Sequence, residues 1–182
     1  MQFNELYSLM QKRQSIRSFK DIALTENEIK NLIDAAVTAP SSLNSQPWSF
    51  IVIKNPENKK KLREIYSSAR KKLKLYKQDT SFVEKATPIV VVCEDSSPDK
   101  LMSCAMAIEN MFLAAESMGL GSLPSVTILL DKEHEGKLGE LVNVRAPKKI
   151  VLVNFFGYTD VAAPRKPKKE TSSLIFEDVF GK

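Results

Sequence analysis

Residues 39–48 read Ala-Pro-Ser-Ser-Leu-Asn-Ser-Gln-Pro-Trp. Pro40 and Pro47 restrict the backbone near both ends of this stretch, and hydroxyl and amide side chains predominate between them. Amide side chains donate and accept hydrogen bonds at once, which suits the edge of a heterocycle with alternating carbonyl and ring N–H groups. The stretch therefore predicts a loop that lies along such a ligand, whereas Trp48 is expected to pack in the core.

A helix is predicted before this loop and a strand directly after it. Thr25 and Glu28 form a capping-box pattern, an apolar stripe at helical spacing covers 29–37, and Pro40 ends the helix. A short strand is expected over 49–53. Two further helices flank this region, one from Phe3 to Met10 that stops near Arg13, and a basic one within Lys59 to Lys77 that Asn55-Pro56 opens.

The second half of the chain continues with strands and helices. The β-branched run Ile89 to Cys93 predicts a central strand. Ser97-Pro98 opens a helix to Met118 that is apolar on nearly every side, so we expect it to be fully buried with the help of a second subunit. A helix over 131–142 and a strand over 150–156 follow. Helices grouped between separated strands predict an α+β layer fold with a mostly antiparallel sheet flanked by helices.

The tail after Gly157 carries a basic cluster and then an apolar patch, Leu174 to Phe180. Fraying would leave these aromatic side chains in water, so the tail is expected to wrap a partner subunit. A chain of 182 residues is long enough for one domain with a real core. We therefore expect one domain over 1–182, with 158–182 as its subunit-wrapping tail.

A second candidate ligand segment, Arg13-Gln-Ser-Ile-Arg17, lies between two predicted helices. Alternate residues of an extended backbone project to the same side, so Arg13, Ser15 and Arg17 share one side. Two guanidinium groups and a hydroxyl can grip a phosphate or another anion. A plain pair of exposed arginines is the alternative that the residues alone leave open.

The third candidate segment is Gly119-Leu-Gly-Ser-Leu-Pro-Ser125. Glycine lets the backbone come close to a ligand, although Gly119 also suits a helix C-cap. The full Gly-x-Gly-x-x-Gly pattern is missing, so the sequence does not support a Rossmann dinucleotide site.

The chain has few histidine and cysteine side chains, which limits the catalysis that side chains alone could perform. The single histidine, His134, is expected on a solvated helix face, and Cys93 and Cys104 lie in apolar stretches as buried thiols. No metal site of the usual zinc kind is expected, nor a Ser-His-Asp triad unless His134 supplies it. If the protein is an enzyme, a cofactor carries the difficult chemistry, and no catalytic side chain is needed.

Charge and hydropathy argue against a nucleic-acid-binding protein and a membrane protein. The net charge of +5 permits a nucleic-acid partner, but the basic residues follow a helical face and the tail. No apolar run approaches the ~20 residues of a membrane span, and the N-terminus lacks the cationic lead of a signal peptide. We expect no nucleic-acid partner, no membrane association and a cytoplasmic location.

Taken together and in this order, the segments resemble the nitroreductase family of FMN enzymes. The specific part is Pro-Ser-Ser-x-Asn-x-Gln-Pro-Trp at 40–48, supported by 13–17, 107–121 and Gly157-Tyr158. The resemblance covers essentially the whole chain. It implies a nitroreductase-like fold and an intertwined homodimer in which each of two FMN sites is built from both chains.

The resemblance also implies roles for single residues. Arg13 and Ser15 fall on phosphate-gripping positions with Gln14 beside them, and Arg17 falls near the pyrimidine end of the flavin. Ser122 and Leu123 lie in the stretch to which a backbone donor to the flavin N5 is assigned. The loop of the other subunit would lie along the isoalloxazine through Pro40, Ser41, Ser42 and Asn44, with Gln46 also at the cofactor. In the tail, the basic phosphate contacts correspond to Lys166 and Lys168, with Arg165 as a substitute.

The implied activity is ping-pong hydride transfer. NADH or NADPH reduces FMN and leaves, and an electron-poor small molecule such as a nitroaromatic or a quinone follows. A cation at Arg17 would stabilise the negative charge of reduced flavin and raise its potential. The alternatives are a flavin reductase, an enone reductase or a dehalogenase, a non-catalytic FMN-binding module, and a nucleic-acid-binding protein without cofactor.

Overall fold

The computed structural model describes residues 2–75, 79–94, 99–162 and 166–181. In this part of the chain the strands are β1 (Trp48–Val52), β2 (Thr87–Cys93), β3 (Gly121–Ser125) and β4 (Lys149–Gly157). The helices are α1 (Phe3–Lys12), α2 (Glu26–Val37), α3 (Pro56–Lys72), α4 (Phe82–Lys85), α5 (Lys100–Ser117) and α6 (Lys132–Leu141), with short 3-10 turns at Ser42–Asn44, Thr127–Leu130 and Thr171–Leu174.

The four strands form one sheet in the order β1-β2-β4-β3, and every neighbouring pair is antiparallel. All seven residues of β2 are buried, as expected for a β-branched central strand covered on both faces. The predicted strand over 89–93 begins two residues earlier, at Thr87. The expected α+β architecture with an antiparallel sheet is confirmed.

Each face of the sheet packs against its own hydrophobic core. One core joins α2 and α5 to the sheet through Leu32, Met111 and Phe156. The other joins α3 and α6 to the opposite face through Leu62, Leu138 and Phe155. Because Phe155 and Phe156 are consecutive in β4, their side chains point to opposite faces and serve the two cores in turn.

The helix starts follow the predicted capping chemistry. Thr25 accepts a hydrogen bond from the Glu28 amide, and the Glu28 carboxylate accepts one from the Thr25 amide at 2.7 Å. Asn55 caps α3 in front of Pro56. The Ser97-Pro98 cap predicted for α5 lies outside the described residues.

Helix α5 leaves Leu101 and Met102 60% and 66% exposed in the single chain, so the cover expected from a second subunit stays a prediction. The stretch 121–125, for which the sequence predicted no strand, is strand β3, and its approach to a ligand stays a prediction. Sequence periodicity missed this strand because five residues that include Pro124 carry little β-propensity.

The apolar side chains of the tail have little cover within one chain. Ile175 and Phe180 are 64% and 89% exposed. The ring of Phe176 packs against the ring of Phe180 at an interplanar angle of 47°. In the described residues, the helices are too short or too polar to cross a bilayer.

Candidate functional site

The segment Arg13–Arg17 lies along the free edge of β3. Ser15 forms a parallel bridge with Ser122, and the Ile16 amide donates to the Ser122 carbonyl at 2.9 Å. Ile16 is 7% exposed in the second core, whereas Arg13 and Ser15 are half-buried and Arg17 is exposed. The structure thus brings the second and third candidate segments together, with the polar side chains turned away from Ile16.

Two glycines make this junction possible. A Cβ added at Gly121 would lie 2.9 Å from Thr159 Cγ2 and 3.1 Å from Ile16 Cγ2. One added at Gly157 would lie 3.1 Å from Phe19 Cδ1. Close packing of 13–20 against the sheet therefore accounts for Gly121, and the expected ligand approach is not needed to explain it. Gly119 has φ +70° and directly follows Met118, the C-cap of α5, as glycine often does at a helix end.

Arg17 has little to hold its guanidinium group within the chain. Its Nη1 group lies 3.5 Å from the Ser15 carbonyl, a distance too long for a strong hydrogen bond. Arg13 differs, because burial raises the pKa of Glu116 on α5 while the charges of Lys12 and Arg13 lower that pKa by a smaller amount. Arg17 therefore leaves an exposed positive charge beside β3, which suits an anion.

The loop after α2 has an unusual backbone. Leu43, Asn44 and Gln46 have φ of 51°, 54° and 45°, in the left-handed region that costs a non-glycine residue of the order of 1 kcal/mol or more. The backbone N–H of Gln46 donates to Ser41 Oγ at 3.0 Å, and the backbone N–H of Asn44 donates to the Ser41 carbonyl at 3.0 Å. Asn44 and Gln46 are exposed, while Ser41 and Ser42 are half-buried and Pro40 is exposed. Strain held in place by local hydrogen bonds is common at binding loops.

The loop and the arginine segment belong to opposite edges of the sheet. Trp48, at the start of β1, pairs with Cys93 of β2, and Cys93 pairs with Lys149 at the start of β4. Ser122 of β3 pairs with Phe156, near the other end of β4. Three strand spacings across the sheet and seven residues along it separate Trp48 and Ser122 by on the order of 25 Å. One chain therefore carries the loop and the arginine segment at two separate places.

The other predicted residues fall as follows. Ser122 and Leu123 are 3% and 2% exposed, and Leu123 packs in the second core, so any contact it makes with a ligand is through its backbone. Lys166 and Lys168 are exposed. Arg165 lies outside the described residues. Gln14 is half-buried, and its Nε2 group lies 3.4 Å from the Gln11 carbonyl.

Sequence reasoning assigned no role of their own to Asn110 and Thr38, which the structure joins. Asn110 Nδ2 lies 3.2 Å from both the Ala35 carbonyl and Thr38 Oγ1, at the end of α2 where the loop begins. The available signal was a single amide within the apolar α5 sequence.

His134 does not lie on a solvated helix face, and that expectation is wrong. It is 2% exposed, with Nδ1 2.6 Å from Asp131 Oδ1 and Nε2 2.9 Å from Ser68 Oγ. Asp131, Glu133 and His134 are close enough to share a cation, but the Lys72 ammonium already lies 2.7 Å from Asp131. We interpret the group as a polar tie between α3 and α6. Cys93 and Cys104 are buried, as expected.

A surface cleft of about 500 Å³ lies elsewhere, between α6 and the turn before β4. Its lining includes Lys132, Gly136, Arg145 and Lys148, and it contains none of the predicted ligand residues.

Comparison with known proteins gives one family match. The model described as "Nitroreductase family" matches residues 10–158. The matched region includes the arginine segment, the loop and β3, and it ends where the predicted tail begins.

Two curated relatives and one solved structure extend this likeness. A Methanothermobacter thermautotrophicus protein named "Putative NADH dehydrogenase/NAD(P)H nitroreductase" is 31% identical over 137 residues, 72% of this chain and 66% of that protein. The iodotyrosine deiodinase of Thermotoga neapolitana is 27% identical over 180 residues, 91% of this chain and 94% of that protein. A Bacteroides fragilis nitroreductase with bound FMN is 25% identical, with a TM-score of 0.76 over 95% of this chain and 98% of that chain.

Proposed function

Because the chain belongs to the nitroreductase family and has its fold, we propose that it is an FMN-dependent oxidoreductase that works as a homodimer. It passes hydride from NADH or NADPH to an electron-poor small molecule such as a nitroaromatic or a quinone. The observation that carries the proposal is the placement of a cationic segment and an amide-rich loop at opposite edges of one sheet. Each is half of a flavin site.

The residues fit the two ends of FMN. Arg13 and Ser15 hold the phosphate, with Gln14 beside them, because guanidinium and hydroxyl groups on one side of an extended segment suit its oxygens. Lys166 and Lys168 of the tail add charge to the same group, with Arg165 as the substitute for one of them. The amides of the loop match the hydrogen-bonding edge of the ring system through Asn44 and Gln46, with Pro40, Ser41 and Ser42 along it. Ser122 and Leu123 face the ring through their backbone.

Bound FMN supplies the chemistry of accepting and donating hydride, and the side chains bind and tune it. Arg17 places a fixed positive charge at the pyrimidine end, where it stabilises added negative charge. Protons come from solvent, so no acid, base or nucleophile is assigned. The exposed Arg17 has room for this role, since its contact within the chain is long.

A homodimer follows from the separation of the two half-sites. A second copy related by a two-fold axis would bring its loop to the arginine segment of the first. It would also cover the exposed side chains of Leu101 and Met102 and those of the tail. We propose one domain over 1–182 whose 158–182 segment wraps the partner. A chain truncated after Gly157 should be monomeric or aggregate in size-exclusion chromatography, and a stable, flavin-loaded dimer would count against the wrapping tail.

The direct test is the visible spectrum of the purified protein, before and after each nicotinamide is added under argon. We expect a flavin spectrum that NADH or NADPH bleaches and that a nitroaromatic or a quinone restores. A colourless protein that does not take up added FMN would remove the proposal. Flavin that neither nicotinamide reduces would favour a non-catalytic FMN-binding module.

A reductive dehalogenase is the second candidate. It is favoured by the likeness to the deiodinase of Thermotoga neapolitana, which spans nearly the full length of both chains. Acceptor profiling separates it from the main proposal: turnover of an iodinated phenol with release of iodide, and little turnover of quinones, would favour it. Turnover of free flavin or of an enone would instead indicate a flavin reductase or an enone reductase. The cytoplasmic location stays a prediction.

A further inference from the structure

The end of α2 is tied to α5 by one amide side chain. Asn110 Nδ2 donates to the Ala35 carbonyl and to Thr38 Oγ1, both at 3.2 Å. Thr38 Oγ1 donates in turn to the Ala35 carbonyl at 2.7 Å. The last carbonyls of a helix lack their usual partners within the helix. The Ala35 carbonyl accepts from the Thr38 backbone N–H at 3.3 Å, and the Asn110 side chain of another helix supplies a further donor.

This tie lies at the stem of the flavin-site loop. Thr38 is the C-cap of α2, Ala39 is 7% exposed, and Pro40 then restricts the backbone. A shift of Thr38 is therefore passed directly to Pro40 and the residues beyond it.

The hydrogen bonds between residues of the loop set its internal shape. Its position relative to α2 and the sheet depends on ties at its two stems. The bonds from the Gln46 amide to Ser41 Oγ, from Gln46 Nε2 to Asn44 Oδ1 and from the Ser45 amide to the Ser42 carbonyl all join loop residues to one another. At the far stem, the Pro47 carbonyl accepts a hydrogen bond from the Glu94 amide at 3.0 Å. At the near stem, Asn110 occupies the corresponding position.

We propose that Asn110 is a positioning residue for the flavin site: it fixes where the 39–48 loop leaves α2, and so how its amides meet the ring. The inference rests on the proposed function. It predicts that loss of the Asn110 amide weakens binding of the ring while leaving the phosphate grip of Arg13 and Ser15 intact.

The test compares Asn110→Ala with Asn31→Ala. Asn31 is a matched control because its side chain also joins α2 to the end of α5, at 3.9 Å from Met118 Sδ, but from the middle of α2, away from the loop stem. We expect Asn110→Ala to raise the Kd for FMN about fivefold, the factor that one neutral hydrogen bond is worth. The Kd for riboflavin should rise by the same factor, so that the preference for FMN over riboflavin is unchanged. Asn31→Ala should leave both constants as in wild type.

Thr38 provides a second route if Asn110→Ala does not fold. Thr38→Val removes the hydroxyl that accepts from Asn110 and should also weaken the binding of both FMN and riboflavin. Thr38→Ser keeps the hydroxyl and should bind both flavins as wild type does. The Kd values are measured well below each melting temperature, so loss of stability alone does not move them.

The outcomes separate the inference from the proposed function. Wild-type protein that binds no FMN overturns both. Wild-type protein that binds FMN, with an unchanged Kd in Asn110→Ala or an equal loss in Asn31→Ala, overturns the inference alone. A loss of FMN binding without loss of riboflavin binding also contradicts it, because the defect would then lie at the phosphate.

Discussion

Replacing Gly121 by alanine perturbs the junction between the arginine segment and β3. The added Cβ would lie 2.9 Å from Thr159 Cγ2, 3.1 Å from Ile16 Cγ2 and 3.2 Å from Ile16 Cβ. The Thr159 side chain can rotate away. Ile16 has less freedom, because it is buried and β-branched and its amide is bonded to Ser122 at 2.9 Å.

The cost follows from this crowding. Overpacking a well-packed site costs about 1–3 kcal/mol, and a chain of this size loses about 2–4 °C of melting temperature per kcal/mol. Gly121→Ala should therefore melt about 2–12 °C lower than wild type. Because Ile16 is the neighbour of Ser15, displacing it should also weaken FMN binding.

Gly136→Ala is the matched control. Gly136 lies inside α6, and an added Cβ there meets no atom within 4 Å. Alanine in a helix interior is more favourable than glycine by about 0.5–1 kcal/mol, so this variant should melt slightly higher than wild type and bind FMN unchanged. Thermal melts followed by circular dichroism measure the melting temperatures of both variants. A Gly121→Ala protein as stable as wild type, or a Gly136→Ala protein that is equally destabilised, would refute the packing argument.

Three further predictions concern charge and reactivity. Arg17→Ala should lower the two-electron potential of bound flavin by about 30–65 mV, from ~1.5–3 kcal/mol for a charge-assisted contact; spectroelectrochemistry that finds no change would remove its tuning role. Hydrogen bonds from Lys72 and then from His134 hold the pKa of Asp131 well below its usual range. The depressed pKa stabilises the fold above the unfolded pKa and ceases to do so as pH falls, so the advantage of wild type over Asp131→Asn in melting temperature should shrink between about pH 5 and pH 2; a constant gap would contradict this. Burial, and to a lesser extent the nearby Cys93, raises the pKa of the Cys104 thiol to about 12. Cys104 should therefore resist a thiol reagent at pH 8 until the protein is denatured, and prompt labelling of the folded protein would count against this.

The sequence predicts the elements whose signals are local. The capping box of Thr25 and Glu28, the Asn55-Pro56 helix start and the β-branched strand after Pro88 all depend on neighbouring residues, and the structure has each of them. The β3 strand was missed because its pairing with β4 and with Ser15 depends on distant parts of the chain.

The candidate site divides in the same way. The alternation of Arg13, Ser15 and Arg17 about Ile16 was predictable from an extended backbone. The Asn110 tie and the burial of His134 between Asp131 and Ser68 were not, because each joins residues far apart in sequence through side-chain geometry. The complete burial expected of α5 stays a prediction, because it depends on a second subunit and hydropathy does not say which subunit provides the cover.

The central claim, that each flavin is held by two copies of the chain, is tested most directly by mixing two defective subunits. One carries Arg13→Ala and Ser15→Ala, the other carries Asn44→Ala and Gln46→Ala, and differently tagged chains are co-expressed so that the mixed dimer can be purified. Each variant alone should retain little FMN. A mixed dimer should bind one FMN per two chains, because one of its two sites combines the intact arginine segment of one chain with the intact loop of the other. A mixed dimer as poor in FMN as its two parents would contradict the account, since every site would then be built from a single chain.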